Sequence, residues 1–443
     1  MKQATNLANP SPRPETSGQP PEPRPVQRNS TQGVKVAIVT GSLGMGGAEL
    51  IILNLGRSLR QLGYDVTIVT VTAPGEWFDE IQKSGLRALH ISGRESVHPY
   101  RHAWRVGRRL RDERFDVVLL TKYNNSERCS QAALNMLPTR VIAIPWIHDS
   151  TESCCRMALV NRAAWNVAIG VGVGVARMAA KKSKGKPVLH VPNGLVPPTS
   201  ELVRSGRAAD ARPFRLCYVG RLEQSQKGIF SLPAILALCR QRQLAVALDI
   251  VGDGSDKDGL VQRFEQAGLS DSVAFHGAVP HDEVFRCFSQ AHVALMPSYQ
   301  EAMPCVPIEA QFCGCVPIVS RLPGITDTIM DDGRTGILVE VDDINGFVAA
   351  IGGLVNDRAR WQAMSLAGPR RVADFTLEAM GRRFDELIQA CLRGEYPLPH
   401  SRRSWLPVNP LAMTWREAIP RGIHRLGIGA HMRRLRAKSQ HGY

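Results

Sequence analysis

The sequence predicts an α/β protein of two Rossmann-like domains facing a central crevice. Three observations carry that reading. Two runs of strand–helix alternation, one starting at Val34 and one restarting at Phe214, indicate two parallel sheets with helices on both faces. Between them, Pro192 to Arg212 carries Pro197-Pro198 and polar spacing, the composition of a hinge. Glycine-rich or acidic loops follow several strands, and ligands of open α/β sheets bind outside the carboxyl ends of strands. The boundaries that follow are a first domain over 34–195 and a second over 213–392. A proline-rich leader precedes them at 1–33 and a basic tail follows at 396–443.

In the first half, Val34 to Thr40 is an apolar strand, followed by a glycine loop and helix-period residues from Leu50 to Leu62. Asp65–Thr70, Asp116–Thr121 and Arg140–Pro145 continue the sheet, and its last strand is expected near Val167–Val171. The second half opens with Phe214–Gly220. Helix Ile229–Arg242, strand Val246–Val251, helix Gly259–Ala267, strand Val273–His276 and helix Asp282–Ser289 follow. Then come the short buried strand His292–Met296, a helix over Ile308 to Cys313, and strands Val316–Ser320 and Gly336–Val339. Helices from Ile344 to about Leu392 close the body.

The chain of 443 residues is long enough for about two to three domains. Of its net charge of +15, about +8 lies in residues 401–443, which hold nine Lys/Arg and one acid, Glu417. Such a tail attracts anionic surfaces, and Trp405, Trp415 and Leu426 within it suit a membrane interface. The most apolar stretch, Val167 to Ala176, is too short to span a bilayer. Residues 1–33 contain seven prolines and no secretory signal pattern, so they read as a disordered leader. The ten cysteines show no Cys-x2-Cys pair and no disulfide framework, which is the usage of a reducing compartment and points to the cytoplasm.

The chemistry concentrates at Glu301 and Glu309, eight positions apart, between a buried strand and a helix opened by Pro304 and Pro307. Helix amino ends favour negative charge, and the backbone at Met303, Pro304 and Cys305 lies at such an end. The flanking carboxylates accept hydrogen bonds from hydroxyls. A phosphate cradle between two hydroxyl acceptors suits a sugar nucleotide. Arg221 and Lys227 flank the loop after the strand ending at Val219, as two cations for a departing diphosphate. Gly41-Ser-Leu-Gly-Met-Gly-Gly-Ala48 is neither a dinucleotide fingerprint, since its third glycine position is Glu49, nor a P-loop. It remains a turn whose backbone can approach a ligand closely. Asp256-Lys-Asp258 has the Asp-x-Asp form of a metal site but starts a helix, where acids complement the dipole; it reads as a cap, and no metal is inferred.

The Glu-x7-Glu spacing and the Gly-x-Pro-Ile-Val strand after it resemble the donor-site signature of retaining family 4 glycosyltransferases, which have the GT-B fold. Gly44-Met-Gly-Gly-Ala-Glu49, Pro192-Asn-Gly194, Gly220-Arg-Leu222, Lys227-Gly228 and Thr335-Gly336 fall in the family's order, so the likeness runs over roughly 34 to 390. It implies transfer of a hexosyl unit from a nucleoside diphosphate sugar to an acceptor alcohol, in polysaccharide or glycolipid biosynthesis. It also implies roles. Arg221 and Lys227 hold the diphosphate, and Glu309 holds the ribose. Glu301 with the backbone at 303–305 holds sugar hydroxyls, Gly46 and Gly47 face the donor across the crevice, and His148 lies at the reacting face, with Asp149 to orient its ring. Ala302 and Pro304 depart from positions where glycine is common, and Gly170 stands where a serine often follows the strand. The last helix is expected to cross back to the first domain.

The expected partners are a nucleotide sugar, a glycan or lipid-linked acceptor, and an anionic membrane surface, with no nucleic acid. Arg101, Arg105, Arg108 and Arg109 share one helix face that is a second candidate for the membrane contact. Two other functions fit the same architecture. A sugar-nucleotide 2-epimerase would need a second acidic cluster around C2, and none is apparent. A degenerate, non-catalytic scaffold would not need intact Arg221, Lys227, Glu301 and Glu309.

Overall fold

The computed structural model describes residues 31–44, 47–92, 99–121, 128–200 and 212–398. Two parallel sheets organise them. The first has seven strands in the order β3-β2-β1-β4-β5-β6-β7, and the second has six in the order β10-β9-β8-β11-β12-β13. In the first, β1 is Lys35–Thr40, β2 Asp65–Thr70, β3 Arg87–His90, β4 Val117–Leu120, β5 Ile142–Ile147, β6 Ala168–Gly170 and β7 Val188–His190. In the second, β8 is Phe214–Val219, β9 Val246–Val251, β10 Val273–Gly277, β11 Val293–Met296, β12 Val316–Ser320 and β13 Ile337–Val339. The central strands are buried on both faces, which is why they read as unbroken apolar runs rather than alternating ones.

Strand order reverses between β1 and β4 in the first sheet and between β8 and β11 in the second. A crevice opens at such a switch point, because the connections on its two sides leave toward opposite faces. The loops after β1, β8 and β11 all begin there. These are the glycine loop, the Arg221–Lys227 loop and the Glu301 loop.

Two strands escaped the sequence reading. β3 is short and only half-buried, and β7, not β6, ends the first sheet, after a linker of lysine and glycine. β5 lies two residues later than expected, which brings Trp146 and Ile147 into the sheet. The helical end resolves into Ile344–Asn356, Arg358–Arg371 and Leu377–Leu392. The last of these packs on helix Gly47–Gln61 of the first half. Phe384 meets Trp146 edge-on with centroids 5.0 Å apart, and Tyr64 Oη donates to Asp385 Oδ1 at 2.5 Å. One apolar core therefore joins the halves, taking Val171, Val191 and Leu195 from the first, Met303, Ile308 and Phe312 from the second, and Phe384 from the crossing helix. The leader through residue 30, the tail from residue 399 and most of the hinge lie outside the described residues.

Candidate active site

The two loops that leave β8 and β11 are laced together. Tyr299 N donates to Gln226 O at 2.9 Å, and Gln224 Nε2 donates to Tyr299 Oη at 3.0 Å. Gly228 ends the one-turn helix Gln224–Lys227 in the left-handed region, φ +62°, and a Cβ there would run into Pro297 O. Glycine is thus required twice, by dihedral and by space. The result places Lys227 Nζ 2.7 Å from Glu301 Oε1, with their side chains 19% and 8% exposed. A pair so poorly hydrated is held by geometry as well as charge.

Asp256 caps something other than its own helix. Its Oδ2 accepts from Gln224 N at 2.7 Å, so it fixes the first residue of the turn that carries Lys227, while Lys257 pairs with Asp253 instead. As the sequence indicates, Asp256 stands at the N-cap position and Asp258 in the first turn of helix Lys257–Gln266, but the Asp256 carboxylate bonds to the β8 loop rather than to that helix. Among the described residues no group of three or more His, Cys, Asp and Glu side chains is placed to hold a metal ion.

Arg221 makes its side-chain bonds within its own loop. Its guanidinium is 66% exposed and donates to Glu223 Oε2 at 3.0 Å and Gln226 Oε1 at 2.8 Å, at the mouth of the same loop. Glu309, 6% exposed on helix Val306–Phe312, accepts from His281 Nε2 at 2.9 Å. Cys305 sits at the amino end of that helix, its thiol pushed up by burial and then by the Glu309 and Glu301 carboxylates. Pro304 precedes it. Met303 turns its side chain into the first half, where its sulfur accepts from Asn193 N at 3.0 Å, the Asn of Pro192-Asn-Gly194.

The first half faces this loop closely. Gln300 Nε2 donates to Ser150 Oγ at 3.1 Å, Gly174 N to Gly324 O at 2.7 Å, and a Cβ on Gly172 would strike Ala302 O. His148 follows β5 on this side, with its ring centroid 4.2 Å from that of Trp146. Asp149 Oδ1 accepts from Thr151 N at 2.6 Å and shapes the turn into helix Glu152–Ala158. A serine in place of Gly170 would put a Cβ 2.5 Å from Ala176 N, so glycine belongs there. Gly47 is the first residue of helix Gly47–Gln61, and Gly46 lies outside the described residues.

Two features were missed in the sequence. One is His281, whose partner is 28 residues away. The other is a polar rung across the first sheet. Thr40, Thr70 and His90 are in register on adjacent strands, and Thr121 and Trp146 directly follow the paired residues Leu120 and Pro145. Thr70 Oγ1 lies 2.9 Å from His90 Nδ1. The Thr40 and Thr121 hydroxyls and the Trp146 indole N–H are buried with no hydrogen-bond partner among the described residues. The signal was three apolar strands each followed by a threonine.

Residues 46–217 match the model of the glycosyl transferase 4-like domain, and residues 200–371 that of glycosyl transferases group 1. The D-inositol 3-phosphate glycosyltransferase of Corynebacterium jeikeium is 31% identical over 224 residues, 45% of this chain and 53% of that one. The glycogen synthase of Mycobacterium tuberculosis is 28% identical over 184 residues, 41% of this chain and 44% of that one. The chain spans about half the length of the curated relatives it matches. Among solved structures, Anabaena Alr3699/HepE in complex with UDP superposes with a TM-score of 0.68 at 16% identity, over 81% of this chain and all of that one. Sucrose-phosphate synthase from Thermosynechococcus elongatus gives 0.66 at 20%, over 82% of this chain and all of that one. At these identities the structures establish the fold, two parallel-sheet halves in the GT-B arrangement. With both halves matched from residue 46 to residue 371, the chain belongs to the group 1 glycosyltransferases, of the family 4 type.

Proposed function

We propose that the protein is a retaining hexosyltransferase that uses a nucleoside diphosphate sugar and an acceptor alcohol. The observation that carries this reading is the Lys227–Glu301 pair, 2.7 Å apart and nearly buried at the switch point, with Glu309 eight residues further on. Lys227 has three donors and Glu301 takes one, so the others serve diphosphate oxygens. Arg221, at the mouth of the same loop, supplies the second cation. Glu301 and the backbone at Met303, Pro304 and Cys305 take sugar hydroxyls, and Glu309 takes the ribose. Gly46, Gly47 and His148 approach from the opposite side.

As the bond from the anomeric carbon to the diphosphate oxygen breaks, negative charge grows on that oxygen. A fixed cation in a poorly hydrated crevice, here Lys227, is the main means of lowering the barrier, and the more exposed Arg221 adds to it from solvent. The acceptor hydroxyl attacks from the same face and gives its proton to the departing phosphate, so anomeric configuration is kept and no covalent sugar–enzyme intermediate forms. With the charge met in this way, no divalent ion is needed. The acceptor is a lipid-linked or growing glycan at the cytoplasmic face of a membrane. Support comes from the exposed Arg101, Trp104, Arg105, Arg108 and Arg109 on helix Pro99–Asp112. The similar Anabaena structure is described in complex with UDP and glucose, and the similar curated relatives are named for transfer to inositol phosphate and for glycogen synthesis.

The test is a thermal-shift panel of sugar nucleotides and nucleoside diphosphates, followed by nucleotide release from the one that stabilises most. Release without acceptor, retained configuration in the product and activity in EDTA are expected. Activity abolished by EDTA and restored by Mg²⁺ or Mn²⁺ would sink the metal-free reading, and proton exchange at C2 would mark an epimerase.

A further inference from the structure

His281 opens helix His281–Gln290 at the carboxyl end of the second sheet, four residues after β10. Its Nε2 lies 2.9 Å from Glu309 Oε1. On its other side the ring meets Phe285 edge-on, with centroids 4.7 Å apart. The imidazole is thus held between an aromatic ring on its own helix and a nearly buried carboxylate on helix Val306–Phe312. A carboxylate offers about four acceptor sites, and His281 occupies one of them on Oε1. Glu309 is therefore already oriented when a ligand arrives, and the cost of ordering it does not fall on binding.

We propose that His281 is a positioning residue for the donor nucleoside. It clamps Glu309 in the orientation that accepts from two vicinal hydroxyls, which selects a ribonucleoside diphosphate over its 2′-deoxy counterpart. The inference rests on the proposed role of Glu309. The clamp is charge-assisted, because Glu309 favours the protonated ring against the opposing effect of burial.

Calorimetric binding of UDP, GDP and ADP to the full chain, and of the 2′-deoxy form of whichever binds, tests it with H281A, H281Q, E309Q and the H281A/E309Q double variant. H281A should weaken the ribonucleotide about 10-fold, about 1.4 kcal/mol, and in turnover the loss should appear in KM for the donor rather than in kcat. H281Q, whose amide N–H can replace the imidazole donor, should restore most of the affinity. In the E309Q background H281A should add nothing, and discrimination against the 2′-deoxy form should shrink in H281A. A loss of equal size for ribo and deoxy forms, or one that persists in E309Q, would make His281 merely structural and overturn the proposal. Unchanged binding in H281A removes His281 alone. Failure of every nucleoside diphosphate to bind the wild-type protein removes the reading of Glu309, and the clamp with it.

Discussion

In the proposed donor site Lys227 is the residue that matters most, because its ammonium is the least solvated cation in the loop after β8. Lys227→Ala removes a preorganised charge from the departing diphosphate, a loss on the order of 2.7–4 kcal/mol of barrier, so turnover should fall about 100-fold or more. Circular dichroism and the melting temperature should show that the fold survives, although Glu301 is left unpaired. Near-normal turnover would take Lys227 out of the site. His281 gives a second outcome at this scale. Its Glu309 partner lifts it above the usual histidine value of 6.5, and the other facing charge is Asp282 on its own helix. A raised value in the folded state adds stability that is fully present below pH 6.5 and is lost as pH rises through the raised value. The melting temperature of wild type relative to H281Q should therefore drop across that window. A constant difference from about pH 5.5 to about pH 8 would show that His281 does not titrate there.

At the scale of elements, the Gln224–Lys227 turn is the piece whose exact placement matters. It is fixed by Asp256 at its start, by Gly228 at its end, and by Tyr299 from the neighbouring loop. Gly228→Ala puts a Cβ where the left-handed backbone disfavours it and where Pro297 O already sits. The dihedral alone costs roughly 1–2 kcal/mol, and the collision must also be relieved by moving the turn. Urea unfolding should show the destabilisation, with a fall in turnover larger than the stability loss explains, because Lys227 moves with the turn. Wild-type stability and turnover together would mean that the loop tolerates the shift and that the Lys227–Glu301 spacing is not set there.

For the whole molecule, charge is segregated: about +8 of the net +15 lies in residues 401–443. Each Lys or Arg close to an anionic leaflet contributes about 1 kcal/mol, and no helix among the described residues is long and apolar enough to cross a membrane. The full chain should therefore cosediment with anionic but not neutral vesicles. That binding should be lost at high salt and reduced by truncation at residue 400. Equal sedimentation of both forms would assign the contact to the Arg101–Arg109 face instead.

The sequence by itself determined the two α/β halves, the order of their strands along the chain, and the positions of Lys227, Glu301 and Glu309. Those features are local. Apolar runs buried on both faces, prolines at a helix start and glycine after a lysine leave marks within a few residues of each other. It did not give β3 and β7, which are short, half-buried edge segments with weak apolar signal. Tertiary structure alone decided what meets what. Asp256 does start its helix, but its carboxylate holds the β8 loop, because the β8 and β9 ends converge in space. Arg221 and Lys227 read alike along the chain, yet Arg221 is exposed and paired with Glu223 while Lys227 is nearly buried against Glu301. Thr40, Thr121 and Trp146 become one rung only when three separate strands come into register, and His281 reaches Glu309, 28 residues on, only because their two helices start side by side. Burial of a polar group and the identity of its partner depend on packing between distant segments, and periodicity along one segment does not encode them.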